Sequence, residues 1–169
     1  MPNKRHLPLF SFKPVIPIVF LLIMILILFL SWPVKGLVVI TEGEVLFFFP
    51  SKAAQEFALI YEHSVMKTEV KDVFTLASGE LLMLRTEYES FGAGLPTEAF
   101  ENFTKVEGRY INDGIDLSLP QIRLRTGRTT NHRLMYNEAS FFTLDDFVEP
   151  GSLIVIEEKT MTTLESLFY

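Results

Sequence analysis

The apolar positions fall into two regimes along the chain. From Val15 to Leu30 the sequence reads VIPIVFLLIMILILFL without a polar residue. Continued through Ser31, Trp32, Pro33 and Val34, the run reaches twenty residues, which as a helix would be about 30 Å long, the depth of a bilayer core. A helix satisfies every backbone polar group there, and Pro17 falls in the first turn, where its missing N–H costs little. The pattern predicts a single transmembrane helix over 15–34, preceded by a tail over 1–14.

After Gly36 the period drops to two, the spacing of strands. In EFALIYEHSV, Phe57, Leu59, Tyr61, His63 and Val65 share one face, and Ala58, Ile60, Glu62, Ser64 and Met66 the other. GELLMLRTEYESF gives a second strand after a turn at SGE, with VFTLA before it. LVVITEG, KVEGRYIN, GIDLSLPQIRLRTG, HRLMYNE and SLIVIEE are further strand candidates, separated by Gly, Asn and Pro. Two stretches read as short helical turns instead: PTEAFENF, with Thr97 as N-cap, and TLDDFVEPG, with Thr143 as N-cap before Pro150 and Gly151. The expectation is an all-β domain over 37–169, a compact small β-barrel or β-sandwich, joined to the helix by the brief linker SWPVKG.

Charge orients this arrangement. Residues 1–36 carry Lys4, Arg5, Lys13 and Lys35 and no acid, whereas the remainder has 11 basic and 21 acidic residues, giving −6 overall. By the positive-inside rule the tail stays in the cytoplasm and the domain lies outside the cell membrane. LSWPVKGL places bulky Trp32 where a cleavable signal peptide needs small residues, so the segment reads as an uncleaved anchor. The chain has no cysteine, so an external domain depends on its core rather than on disulfides, an arrangement at home in bacteria. Its acidity argues against nucleic acid.

Candidate chemistry is sparse. In YEHSV, Glu62, His63 and Ser64 are adjacent, but on a strand His63 and Ser64 point to opposite faces and cannot form a base–nucleophile pair. His63 then belongs to the more apolar face, either as a hydrogen-bonded core residue or as a ligand contact. His63 and His132 have no nearby Cys or His to complete a ligand frame, so neither a metal nor a cofactor is expected. Gly92, Gly94 and Pro96 in FGAGLP form a corner, a structural turn or, more weakly, an anion-binding loop. Arg123 and Arg125 share one strand face, and a turn at Gly127 would bring Arg133 beside them, as a solvated face or as a contact for an anionic ligand or partner.

Taken in order, YEHSV with VFTL, TEYESFGAGLP, IRLRTG and FFTLDDFVEPGSLIVIE make the chain resemble the DUF1850 family of small bacterial proteins, over roughly Glu56 to Glu158. His63, Ser64, Gly92, Gly94 and Pro96 match the motifs of that family. The resemblance implies a membrane-anchored companion of TAXI-type TRAP transporters, with the permease or its solute-binding protein as partner. It carries no activity onto named residues. The alternative is an extracytoplasmic enzyme or small-ligand binder built on His63 and the FGAGLP corner.

Overall fold

The computed structural model describes residues 15–51, 55–90, 102–127, 130–136 and 140–169. The apolar run forms α1 (Val15–Leu30), and none of its residues is buried against the rest of the chain. The helix closes with the Ser31 and Trp32 amides bonded to Ile27 and Phe29, and by Pro33 the chain is already in a strand. This corrects the expected span of 15–34: sixteen residues rise about 24 Å. Among the described residues no helix is long and apolar enough to cross a membrane. Pro33 disfavours helix for the residue before it, and the β-branched residues that follow find strand partners instead. SWPVKG is therefore not a linker, and the β-structure starts four residues before the expected Leu37.

Eleven strands follow among the described residues: β1 (Pro33–Thr41), β2 (Glu44–Pro50), β3 (Glu56–Glu62), β4 (Glu69–Ala77), β5 (Glu80–Tyr88), β6 (Asn102–Val106), β7 (Arg109–Leu119), β8 (Ile122–Arg125), β9 (Arg133–Tyr136), β10 (Ser140–Thr143) and β11 (Leu153–Thr162). They form two sheets, one ordered β2-β1-β11-β8 and the other β10-β9-β3-β4-β5-β7-β6. The all-β reading holds, and of its two architectures the sandwich is the one present, since neither sheet closes into a barrel.

Three expected elements divide or shift. KVEGRYIN is a hairpin rather than one strand. It turns at Glu107 and Gly108, both at positive φ, as the pairs Glu42–Gly43 and Ser78–Gly79 do in the β1–β2 and β4–β5 hairpins. Positive φ at both central positions is what a tight two-residue hairpin requires. GIDLSLPQIRLRTG breaks at Pro120, which has no N–H for a ladder, and its halves join different sheets. PTEAFENF lies mostly outside the described residues, and its last two, Asn102 and Phe103, belong to β6. The second helical expectation survives as a 3₁₀ turn, Leu144–Asp146, with Thr143 as N-cap.

The core is the space between the sheets. Leu37, Val39, Ile154 and Ile156 from the smaller sheet meet Phe57, Leu59, Phe74, Leu81, Leu134 and Tyr136 from the larger, and Leu144 fills one end. Cross-strand pairing such as Val39 with Ile156 puts each set on a single face. At the β2–β10 side, Phe49 stacks on Tyr136 at 4.7 Å and the Tyr136 hydroxyl donates to the Pro50 carbonyl at 2.6 Å. Outside the smaller sheet, Phe48 lies across Gly36, where any Cβ would collide with its ring and with the Phe49 carbonyl.

Candidate functional site

An open concavity lies at the end of the sandwich where β3 stops and β11 begins. A cleft of about 630 Å³ lies among Glu62, Lys67, Gly127, Asn131, Thr143 and Asp145. Three connections build it: the turn from His63 to Thr68, the crossing from β8 to β9, and the loop from the 3₁₀ turn into β11. Lys67 and Glu62 pair across its rim at 3.3 Å, both well exposed.

His63 is not on a strand. β3 ends at Glu62, and His63 opens a turn in which its amide bonds to Thr68 O and its carbonyl accepts from Lys67 N, with Lys67 at φ 56°. The opposite-face argument for His63 and Ser64 therefore lapses. His63 Nδ1 accepts from the backbone amides of Val65 and Met66, at 3.3 and 3.2 Å. The buried imidazole caps its own turn, as an Asn or Asp side chain does in an Asx turn. Ser64 is exposed at the tip, and Glu62 lines the cleft.

The surroundings of the second histidine join residues far apart in the sequence. His132 is buried at the entry to β9; its Nδ1 lies 3.1 Å from Thr130 Oγ1 and 3.3 Å from Asp145 Oδ1, and its amide donates to Asp145 Oδ2 at 3.0 Å. The Leu144 amide returns a bond to the His132 carbonyl. A hydroxyl–imidazole–carboxylate relay needs its two partners on different ring nitrogens. Here Thr130 and Asp145 both address Nδ1, so the group fixes the imidazole and ties the 3₁₀ turn to β9.

Beside His132, across the inner face of the larger sheet, runs a polar row. The Tyr61 ring is 6.2 Å from that of His132, and its hydroxyl is hydrogen-bonded to Asp72. Thr86 Oγ1 donates to Asp72 Oδ1 at 2.6 Å. Thr86 is paired in register with Asn112, which is fully buried and whose side-chain amide finds no partner among the described residues. Burial pushes the Asp72 carboxyl above its ordinary range against the opposing bonds from Thr86 and Tyr61. Burial, and then the Asp72 charge, raise the Tyr61 hydroxyl as well. The signal in the sequence was an acid between Val70 and Phe74 on an apolar face.

On the outer face, Glu69 receives Arg109 at 2.9 Å and Arg133 at 2.6 Å. Burial alone would raise the Glu69 carboxyl, but hydrogen bonds from Arg109 and Arg133 outweigh it and hold the group below its usual range. Arg133 thus stands in the larger sheet and does not join Arg123 and Arg125, which form the expected exposed pair on one face of β8. Of these, Arg125 donates to the Gly151 carbonyl at 3.0 Å. Gly92, Gly94 and Pro96 lie outside the described residues. No group of three or more potential metal ligands occurs among the described residues.

The turn, the polar row and both arginine pairs of Glu69 fall within one matched segment. Residues 57–142 match the family profile described as "Domain of unknown function (DUF1850)", 86 of the 169 residues. The chain belongs to the DUF1850 family. No curated protein and no solved structure matches it. The DUF1850 segment contains β4 to β9 and most of β3 and β10, and so includes the His63 turn and His132; Thr143, Asp145, Asp146 and Pro150, which complete the cleft, follow it.

Proposed function

We propose that this DUF1850 protein is a membrane-seated, extracytoplasmic interaction module that serves a TAXI-type TRAP transport system. In this reading α1 lies in the bacterial cell membrane, the basic tail is cytoplasmic, and the sandwich docks on the permease or the solute-binding protein. The observation that carries the membrane placement is α1 itself: sixteen apolar residues, exposed on all sides. Such a helix is stable only where its surroundings are apolar. The transporter as partner rests on the family resemblance. Crosslinking in native membranes followed by co-purification tests it: recovery of the permease or solute-binding protein supports the reading, and capture of other neighbours without either one removes the transporter.

The cleft favours a second reading, binding of a small polar ligand. Its rim offers a cation in Lys67 and carboxylates in Glu62 and Asp145, with the fixed His132 behind them. In this reading Lys67→Ala lowers affinity for a ligand found by thermal-shift screening while leaving the unliganded melting temperature unchanged. A ligand whose affinity is unaffected by Lys67→Ala and by Asp145→Asn binds elsewhere.

A further inference from the structure

At the far end of β11 the chain returns to α1. Thr162 caps α2 (Thr163–Ser166) in a reciprocal box with Glu165, and the Thr163 amide and hydroxyl both donate to the Trp32 carbonyl, at 2.8 and 3.0 Å. Pairing of β1 with β11 begins there too, at Pro33 and Thr162. Residues 163–169 are thus fastened beside the exit of the helix. Their apolar side chains nonetheless point away from the domain: Leu164, Leu167, Phe168 and Tyr169 are 46, 71, 77 and 52 % exposed, and Trp32 is 68 % exposed. Between α1 and α2 an apolar hollow of about 300 Å³ is lined by Ile27, Leu30 and Leu164 with Ser31 and Thr162.

We infer that Trp32, Leu164, Leu167, Phe168 and Tyr169 form a foot that inserts into the lipid interface beside α1 and fixes the attitude of the sandwich on the membrane. The inference rests on the reading that α1 lies in the bilayer. Three features select lipid as the occupant. The patch is continuous with the apolar surface of α1 through Ile27 and Leu30. Its large side chains include Trp and Tyr, which combine an apolar body with a polar tip and collect at the headgroup boundary. A helix of about 24 Å also falls short of a hydrocarbon core of about 30 Å, so residues flanking its end are drawn to that boundary. Glu165, the single acid in 163–169, is turned into the capping box and marks the polar limit of the foot.

The chain contains no cysteine and one tryptophan, so it can be probed at chosen points. Full-length protein is reconstituted in phosphatidylethanolamine–phosphatidylglycerol vesicles carrying brominated lipids. Single-cysteine variants Leu22→Cys, Ser64→Cys and Phe168→Cys receive an environment-sensitive fluorophore, and Trp32 is read without substitution. The foot predicts a blue shift and loss of emission at Phe168→Cys and at Trp32 with lipids brominated near the headgroup. It predicts quenching of Leu22→Cys by deeply brominated lipids and of Ser64→Cys only by aqueous iodide. If the Phe168→Cys label and Trp32 answer to iodide while Leu22→Cys answers to lipid, the foot is wrong and the membrane reading stands. If Leu22→Cys also answers only to iodide, the membrane reading has failed. A Phe168→Cys label shielded from both quenchers points to protein cover and likewise overturns the foot.

Discussion

The two ends of β11 treat their side chains in opposite ways. At the Leu153 end, connections between strands turn polar groups inward and match them: His63 to two amides, His132 to Asp145, Thr126 Oγ1 to the Glu149 carbonyl at 2.9 Å. At the Thr162 end, about 30 Å away along the strand, the backbone is tied to Trp32 while the apolar side chains face outward. At the first end these polar groups find their partners within the chain. The other has the form of a surface that needs an apolar medium or partner, and that contrast supports placing the membrane at the Thr162 end and the cleft away from it.

The largest way to break this contrast is to make α1 polar. Leu22→Lys with Ile25→Lys costs about 5–7 kcal/mol of insertion at a helix centre; the expected outcome is loss of the protein from the carbonate-resistant membrane fraction, with the sandwich still folded by circular dichroism. Next is Leu144→Ala at the cleft end. Leu144 is fully buried and its amide holds the His132 carbonyl, so truncation is expected to lower unfolding free energy in urea by about 2–4 kcal/mol without altering membrane association.

His63 gives a smaller and more discriminating test. Removing the acceptor of two backbone amides by His63→Ala is expected to cost about 1–2 kcal/mol. His63→Asn, whose side-chain oxygen can accept the same amides, is expected to recover most of that in thermal melts. A ligand contact rather than a turn cap would show the reverse: little change in melting for Ala, and no rescue of binding by Asn.

The smallest effect is at Asp72. Its folded carboxyl titrates above its unfolded value, so the folded state is favoured at low pH and loses that advantage as pH rises through the raised value. Asp72→Asn keeps an oxygen for Thr86 and Tyr61 without the charge. After allowance for partial exposure, it is expected to stabilise by about 1 kcal/mol at pH 7 and by nothing below about pH 4, as read from melting curves across pH.

Much of the frame was legible because it rests on local periodicity. Alternation marked β3 and β5, the breakers ahead of SLIVIEE set off β11, and Ser78–Gly79 announced its turn. β2 escaped because VLFFF reads as a continuous apolar run rather than an alternating one. Alternation also misled at His63: the apolar and polar positions keep their rhythm past Glu62, but a backbone turn through Lys67 stops the strand. Pro120 and Glu107–Gly108 were breakers read as interruptions rather than as ends. The box around Thr162 and Glu165 is written as T-x-x-E and was legible in principle. The His132–Asp145 pair and the Tyr61–Asp72–Thr86 row were not, because their members come from different strands and meet only through register.

The topology of the full chain in spheroplasts tests the membrane placement most directly. Single-cysteine variants Lys4→Cys and Asp146→Cys are exposed to a membrane-impermeant maleimide before and after permeabilisation. Immediate labelling is expected at Asp146→Cys, beside the cleft, and labelling at Lys4→Cys only once the membrane is opened. Immediate labelling of both, or protection of Asp146→Cys alone, would contradict that placement.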